Sequence, residues 1–142
     1  MIYLDTGCFV KLYYPEPDSA QVIALIQGKA VGCTPLHELE FVNALQLKTF
    51  FKHATAQQVT AARGLVAADL RSGVLVSAGG DWPDIIREAV KLAEQHTGTV
   101  GCRSLDILHC AAAKVLAATE FISTDARQKK LATAMGLNLV TI

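Results

Sequence analysis

The sequence lacks several features that would assign it to a common class of protein. Its four cysteines form no C-x-x-C pair, which argues against structural zinc sites and dithiol redox motifs. No apolar run approaches the roughly 20 residues of a membrane span. The start has neither a basic segment nor a long apolar segment, so it does not resemble a signal peptide. We therefore expect a cytoplasmic protein with reduced thiols and no membrane association.

The chain also has no net charge, since 13 Lys and Arg residues balance 13 Asp and Glu residues. A neutral chain has no overall field to attract nucleic acid, which argues against a long, non-specific nucleic-acid binder. A local basic rim around an acidic site remains compatible with this balance. The candidates for such a rim lie near or after the acidic motifs described below: Lys11, Lys48, Arg103, Arg127 and Lys129.

Internal repeats, low-complexity segments and long linkers are absent as well. A chain of 142 residues has the length of one ordinary domain and can bury a core without disulfides or metals. We expect a single domain over residues 1–142.

Short apolar runs alternate with helical patterns along the chain. The runs at residues 2–4, 30–33, 74–76, 121–123 and 137–141 are predicted to be strands. Helix starts are predicted at Thr34, which precedes a proline, and at capping-box patterns that begin at Asp18, Thr55 and Asp125. Ser104 is predicted to cap a largely apolar, buried helix, and an earlier helix is expected to end before Gly98. This alternation predicts an α/β fold with a mostly parallel sheet.

Four acidic residues occupy chemically suggestive places in this pattern. Asp5 directly follows the first strand, and Asp125 follows a later one, so both lie at the same rim if those strands are parallel neighbours. Asp106 lies in the first turn of the apolar helix, and Glu40 lies nearly two turns into the helix that begins at Thr34. Each has a structural alternative, because acids cap helices and cover solvated faces.

The four acids together suggest a metal site. Two unit charges 4 Å apart repel by about 4 kcal/mol at an effective dielectric of 20, and a divalent cation would relieve that repulsion. Oxygen ligands suit Mg²⁺ or Mn²⁺, which serve phosphoryl chemistry. Convergence of the four side chains is the condition on which this prediction depends.

Four segments of the sequence resemble the motifs of PIN-domain proteins. They are residues 4–17, with Leu-Asp-Thr-Gly-Cys at their start; 34–45, where an acid three residues before Asn selects Glu40 over Glu38; 103–113, with Arg-Ser-Leu-Asp-Ile-Leu-His; and 121–128, with Phe-Ile-Ser-Thr-Asp-Ala. They occur in the expected order over nearly the whole chain. The small members of that family with this opening and this length are mostly VapC-like toxins, the ribonuclease halves of VapBC toxin–antitoxin pairs, and this chain resembles them.

The resemblance implies a three-layer α/β/α domain and a ribonuclease that depends on Mg²⁺ or Mn²⁺. Asp5, Glu40, Asp106 and Asp125 would be the catalytic, metal-binding acids. Thr6 and Thr124 would be hydroxyls that orient carboxylates or water, and Asn43 would reach the same rim or remain a surface amide. Gly7 departs from the pattern, since a small hydroxylated residue is common there. The implied partners are an RNA substrate, a cognate antitoxin and a second copy of the chain.

Two other functions compete with a nuclease. One is a catalytically inactive PIN-fold module that only binds protein, and the other is a phospho-acceptor domain modified at Asp5. Among the histidines, His109 is expected to pack in the core, and His37, His53 and His96 are given no role. An exposed subset of the aromatic residues is expected to receive an antitoxin helix: Tyr13, Tyr14, Phe41, Phe50, Phe51 and Trp82.

Overall fold

A five-stranded sheet forms the centre of the computed structural model, which describes residues 1–142. The strands are β1 (Ile2–Leu4), β2 (Val31–Cys33), β3 (Leu75–Ser77), β4 (Glu120–Ile122) and β5 (Leu139–Val140). They are arranged in the order β3-β2-β1-β4-β5, and every neighbouring pair is parallel. The predicted α/β class is confirmed, and the sheet is wholly rather than mostly parallel.

Seven helices of eight residues or more surround the sheet. They are α1 (Thr6–Tyr13), α2 (Ser19–Ile26), α3 (Pro35–Phe50), α4 (Ala56–Ser72), α5 (Trp82–Leu92), α6 (Ser104–Val115) and α7 (Ala126–Ala134). After α5 the backbone continues as a π-helical turn, Ala93–Thr97, and a short helix, Gly98–Val100. The helical segment therefore passes the end predicted before Gly98 and stops at Gly101, which has a φ of 72°.

Alternating side chains of the strands divide the core into two layers. Ile2 and Leu4 face helices α1 to α4 on one side of the sheet. Tyr3 and Phe121 face helices α5 to α7 on the other side. Because both faces of the sheet are covered at its centre, β1 and β2 are buried at every position and do not alternate with polar residues. The result is the three-layer α/β/α arrangement.

The strand order creates a switch point between β1 and β4. The chain leaves β1 towards β2 and β3, then returns to the other side of β1 to form β4 and β5. Leu4 is in register with Ile122, so Asp5 and Ser123 follow adjacent strands at the same edge. In parallel α/β sheets, ligands bind outside the carboxyl ends of the strands at such a switch point.

Local capping patterns predict most helix starts correctly, but two of the predicted caps are wrong. The capping box of Thr55 and Gln58 is present, and Thr34 caps α3 as predicted. Asp18 makes no capping bond, because its carboxylate instead accepts a hydrogen bond from Lys11. Ser104 is the first residue of α6 and not its cap, since the preceding Arg103 occupies that position.

None of the helices is long and apolar enough to cross a membrane. The four cysteines are all buried, and none is joined to another.

Candidate active site

Four carboxylate side chains line one cleft at the carboxyl end of the sheet. The cleft has a volume of about 400 Å³, and its walls include Asp5, Glu40, Asp106 and Asp125. We call it the acid cleft. Asp5 comes from the end of β1, Glu40 from α3, Asp106 from α6 and Asp125 from the segment between β4 and α7. The fold thus brings together the four acids that the sequence pattern singled out.

Asp5 is the most buried of these acids, with 3% of its surface exposed. Its Oδ1 accepts a hydrogen bond of 2.6 Å from the backbone N–H of Cys8, which caps α1. Its Oδ2 accepts a hydrogen bond from the hydroxyl of Ser123. The Oγ of Ser123 in turn accepts from the backbone N–H of Asp125 at 3.0 Å. Ser123 therefore links the two acids that follow β1 and β4.

Glu40 is held by two side chains that reach it from other elements. Its Oε2 lies 2.6 Å from the hydroxyl of Thr6, which donates to it, and 2.5 Å from Nε2 of His109. Burial raises the pKa of Glu40, but the hydrogen bonds from His109 and Thr6 lower it by a larger amount. The pKa of Glu40 is therefore below its usual value. The carboxylate is therefore ionised at neutral pH and faces the cleft as an anion.

Two buried histidines lie beneath the acid cleft. Tyr3 OH and Nδ1 of His109 are 3.0 Å apart, which fixes the ring that holds Glu40. The second ring, His37, accepts from the backbone N–H of Thr34 and donates through Nε2 to the carbonyl of Leu4 at 2.8 Å. Burial, together with the nearby His109, lowers the pKa of His37 to about 3, so this ring is neutral. We call Tyr3, His37 and His109 the histidine layer.

Sequence reasoning gave neither histidine a part in the site. His37 was recognisable, because it stands three residues after the N-cap Thr34, where a side chain can complete a capping box. The contact of His109 with Glu40 joins residues 69 positions apart and leaves no local signal. His109 is packed in the core, as expected, but its Nε2 also contacts an acid of the cleft.

Asp106 and Asp125 are held by backbone donors at the starts of α6 and α7. Asp106 accepts from the backbone N–H of Arg103 at 3.0 Å and from the side-chain amide of Gln128 at 3.3 Å. Asp125 accepts from the backbone N–H groups of Arg127 and Gln128. The Arg127 guanidinium lies 3.8 Å from both carboxylates. Three of the four acids thus act as caps, and the N-termini of α1, α6 and α7 lie at the cleft.

These contacts weaken the inference that repulsion among the four acids requires a divalent cation. Helix N-termini carry partial positive charge, and hydrogen-bond donors contact every one of the four carboxylates. They offset part of the mutual repulsion, so the fold can gather the acids without a cation. The repulsion alone therefore does not require a metal, and the case for one depends on the donor atoms that remain.

The remaining donor atoms suit a hard cation that keeps much of its water. No three His, Cys, Asp or Glu side chains converge closely enough to form a direct metal cage. Mg²⁺ is usually held by one or two carboxylates and several waters, which a cleft of about 400 Å³ can accommodate. In addition, Oε1 of the buried Gln128 accepts no hydrogen bond from the protein. The donor set therefore fits Mg²⁺ or Mn²⁺ bound through oxygen.

The cysteines supply no competing thiolate. Burial raises the pKa of Cys8 and Cys110 far above the ordinary value, and it raises that of Cys33 to about 11. Burial also raises the pKa of Cys102, which lies near Asp106. None of the four cysteines lines the acid cleft, so its lining offers no sulfur ligand and does not suit thiolate-bound zinc.

Other residues predicted for the site lie in different surroundings. Asn43 is exposed and does not line the cleft. Thr124 does line it, but its hydroxyl accepts from Nζ of Lys11 at 3.3 Å and contacts no acid of the cleft. Lys11 is 8% exposed and also bonds Asp18, so its prediction as part of a basic rim is wrong. Arg127 is the member whose side chain lies 3.8 Å from acids of the cleft, and Arg103 contacts Asp106 through its backbone N–H.

Comparison with known proteins identifies the family. The sequence profile described as PIN domain matches residues 2–134. This chain belongs to the PIN-domain family. The acid cleft described above therefore lies in a PIN domain, as the four sequence motifs suggested. A search of curated proteins finds no match.

Solved structures with a similar fold include one from Rickettsia felis and one from Neisseria gonorrhoeae. One, described as VapBC2 from Rickettsia felis bound to a DNA fragment from their promoter, has a TM-score of 0.66 and 16% identity, covering 99% of this chain and 98% of that one. The other, FitAcB from Neisseria gonorrhoeae, has a TM-score of 0.60 and 14% identity, covering 98% and 96%. At these identities, the likeness shows the shared fold over the full length.

Proposed function

We propose that this PIN domain is an endoribonuclease that depends on Mg²⁺ or Mn²⁺ and acts as the toxin of a VapBC-type pair. One observation carries the proposal: four carboxylates from distant segments line one cleft at the switch point of a parallel sheet. Clefts of this kind suit phosphodiester hydrolysis, in which a divalent ion lowers the pKa of a coordinated water and offsets phosphate charge.

The residues of the chain have separate tasks in this proposal. Asp5, Glu40, Asp106 and Asp125 would hold the ion, at most two of them by direct carboxylate contact and the others through its coordinated waters. Thr6 and His109 fix the Glu40 carboxylate, and Ser123 fixes that of Asp5. These hydrogen bonds supply the outer contacts that metal sites need to orient their ligands.

The Arg127 guanidinium is suited to bind a phosphate of the RNA. It lies 3.8 Å from Asp106 and from Asp125, too far for tight hydrogen bonds, and its side chain is 39% exposed. Its donors can therefore turn towards a phosphate at the cleft mouth. Attack of water at phosphorus, with the bond to the 3′-oxygen breaking, would leave a 5′-phosphate and a 3′-hydroxyl. Because the RNA 2′-hydroxyl takes no part, no 2′,3′-cyclic phosphate would form.

An antitoxin would cover apolar surface on helices α3 and α4. A groove of about 250 Å³ between them is lined by Phe41, Val42, Val66 and Leu70, among others. Within this lining, Val42 is 37% exposed and Leu70 is 36% exposed. Exposed apolar surface of this kind suits the apolar face of a partner helix. Of the aromatic residues predicted to receive it, Tyr13 and Phe41 are buried, whereas Phe50 and Phe51 are exposed.

RNA cleavage by matched variants tests the proposal. The unaltered protein should cut total RNA with Mg²⁺ or Mn²⁺ and stop in EDTA. Asp5→Asn and Asp106→Asn should each lose at least about 100-fold in rate, since each removes a charge from the site. Glu40→Gln should also lose activity, and Glu38→Gln, an exposed acid on the same helix, should not. Cleavage that is equal in all variants, or absent in all, would favour the protein-binding module.

A further inference from the structure

A second pocket opens directly beside the acid cleft. It has a volume of about 330 Å³, and Thr6 and Gly7 line both it and the cleft. Its other walls come from α1, α3 and the segments that follow them, including Val10, Leu47 and Phe51. We call it the side pocket. Nothing in the proposed chemistry at the carboxylates uses it.

An exposed aromatic ring forms part of the side pocket. Phe51 is 59% exposed at the end of α3, where it does not contribute to the core. Its ring meets that of Phe50 edge-to-face, at a centroid distance of 5.1 Å. The His53 ring lies 6.2 Å from the Phe51 ring, with an interplanar angle of 31°. An aromatic face open to solvent beside a phosphate site is the arrangement on which unpaired bases stack.

The polar edge of the side pocket is ordered and nearly neutral. Nζ of Lys48 donates to Oε1 of Glu16 at 2.6 Å, and the same ammonium lies 4.7 Å from the centre of the Tyr14 ring. Oε2 of Glu16 takes part in no hydrogen bond within the protein. A carboxylate oxygen of this kind accepts hydrogen bonds from the amino group of a base. Adenine, cytosine and guanine carry such a group, whereas uracil offers only its single ring N3–H.

Gly7 lies on the wall that the acid cleft and the side pocket share. It lies in the first turn of α1 and does not have a positive φ, so the backbone does not require glycine there. A Cβ at this position would lie 3.4 Å from Oδ1 of Asp5, an ordinary contact that the fold could accept. Glycine weakens a helix relative to alanine. Its presence is explained if a ligand must pass between the acid cleft and the side pocket.

We propose that the side pocket binds the amino-bearing base of an unpaired nucleotide adjacent to the phosphodiester held in the acid cleft, with the base stacked on Phe51. This inference rests on the proposed ribonuclease function and adds a source of sequence preference to it. The shared wall at Thr6 and Gly7 favours a nucleotide of the same strand over a separate protein segment, because the strand already occupies the cleft.

Sequencing of cut sites tests the inference. A randomised pool of single-stranded RNA is cut by the unaltered protein and by Phe51→Ala, Phe51→Tyr, Phe50→Ala and Glu16→Gln. The unaltered protein should disfavour uracil at one position next to the cut. Phe51→Ala should lose this preference, and Phe51→Tyr should keep it. Phe50→Ala removes the ring that meets Phe51 edge-to-face but does not line the pocket, so it should weaken the preference less than Phe51→Ala does. Glu16→Gln should change which bases are accepted.

An abasic substrate gives the second measurement. Removing the base at the preferred position should lower kcat/KM of the unaltered protein about 5- to 150-fold, the range for one base–aromatic stack. The kcat/KM of Phe51→Ala should be lower by a similar factor on normal RNA. On abasic RNA it should fall no further, because the base and the Phe51 ring act as a coupled pair. Gly7→Ala should raise the melting temperature and lower kcat/KM. Circular dichroism and melting curves show whether each variant is folded.

The outcomes separate this inference from the proposed function. If Phe51→Ala cuts RNA with unchanged rate and base preference, the side-pocket inference is wrong and the nuclease stands. If that variant also escapes inhibition by a co-expressed protein partner, the pocket belongs to that partner. If the unaltered protein shows no metal-dependent cleavage, the proposed function fails and the inference fails with it.

Discussion

Nε2 of His109 lies 2.5 Å from Oε2 of Glu40, and this contact connects the buried histidine layer with the acid cleft. Because the Glu40 carboxylate can only accept, the imidazole nitrogen must carry the proton and donate. The same nitrogen lies 3.0 Å from the hydroxyl of Thr6. The orientation of Glu40 in the cleft therefore depends on a ring whose other nitrogen contacts Tyr3.

Replacing His109 should loosen Glu40 and destabilise the protein. His109→Ala removes a hydrogen bond to a charged group and leaves a cavity, which together should cost about 3–5 kcal/mol in the free energy of unfolding. His109→Gln can restore a donor near Glu40, so we expect a smaller loss. Urea denaturation measures both values. Equal destabilisation by Ala and Gln would show that packing alone explains the residue.

Ser123 is predicted to matter more than its neighbour Thr124. Ser123→Ala leaves Oδ2 of Asp5 and the N–H of Asp125 without their partner in a buried place, which should cost about 1–3 kcal/mol. Thr124→Val removes only a contact with Lys11 and should cost less. Ser77→Ala, an exposed serine at the end of β3, is the control. A smaller effect of Ser123→Ala than of Thr124→Val, by chemical denaturation, would contradict the assigned contacts.

The stability of the protein should fall in mild acid because of His37. The pKa of this ring is about 3 in the folded protein, below its ordinary value of 6.5, so the unfolded chain binds the additional proton between those pH values. The free energy of unfolding should therefore decrease as the pH falls from about 6.5 towards 3. At about 1.4 kcal/mol per pKa unit, the free energy of unfolding should fall by a few kcal/mol at most over this range.

The variant His37→Gln isolates this effect. Glutamine can keep the capping contact with Thr34, since it is a usual residue at that position of a capping box. It does not titrate, so the difference in stability between the two proteins should shrink or reverse as the pH is lowered. Parallel stability curves for both proteins from pH 7 to pH 4 would show that His37 is not the responsible group.

Local signals explain why much of the fold could be predicted. Thr55 with Gln58 marks a helix start within four residues, and the apolar run Ile2–Leu4 followed by Asp5 marks a buried strand and its end. A predicted helix cap is wrong where the side chain bonds a residue of another helix. Asp18 accepts a hydrogen bond from Lys11 of α1 and leaves α2 without its cap. Short-range patterns do not contain that competition.

The site could be predicted only in part, for the same physical reason. The acids follow strands or begin helices, so their positions are visible in the sequence. Ser123 bonds Asp5 across 118 positions, and this contact exists only because β1 and β4 are neighbours. The helix N-termini that stabilise the acids likewise depend on the strand order. A sequence shows which groups are available but not how their charges are offset.

Binding of Mn²⁺ in the absence of RNA tests most directly whether the acid cleft is a metal site. Titration followed by electron paramagnetic resonance should show saturable binding by the unaltered protein. Asp106→Asn should bind at least about tenfold more weakly, as should Asp5→Asn, since each removes one negative charge. The Glu38→Gln control should bind as the unaltered protein does. Equal Mn²⁺ affinity in all four proteins, or none in the unaltered one, would contradict a metal site at these carboxylates.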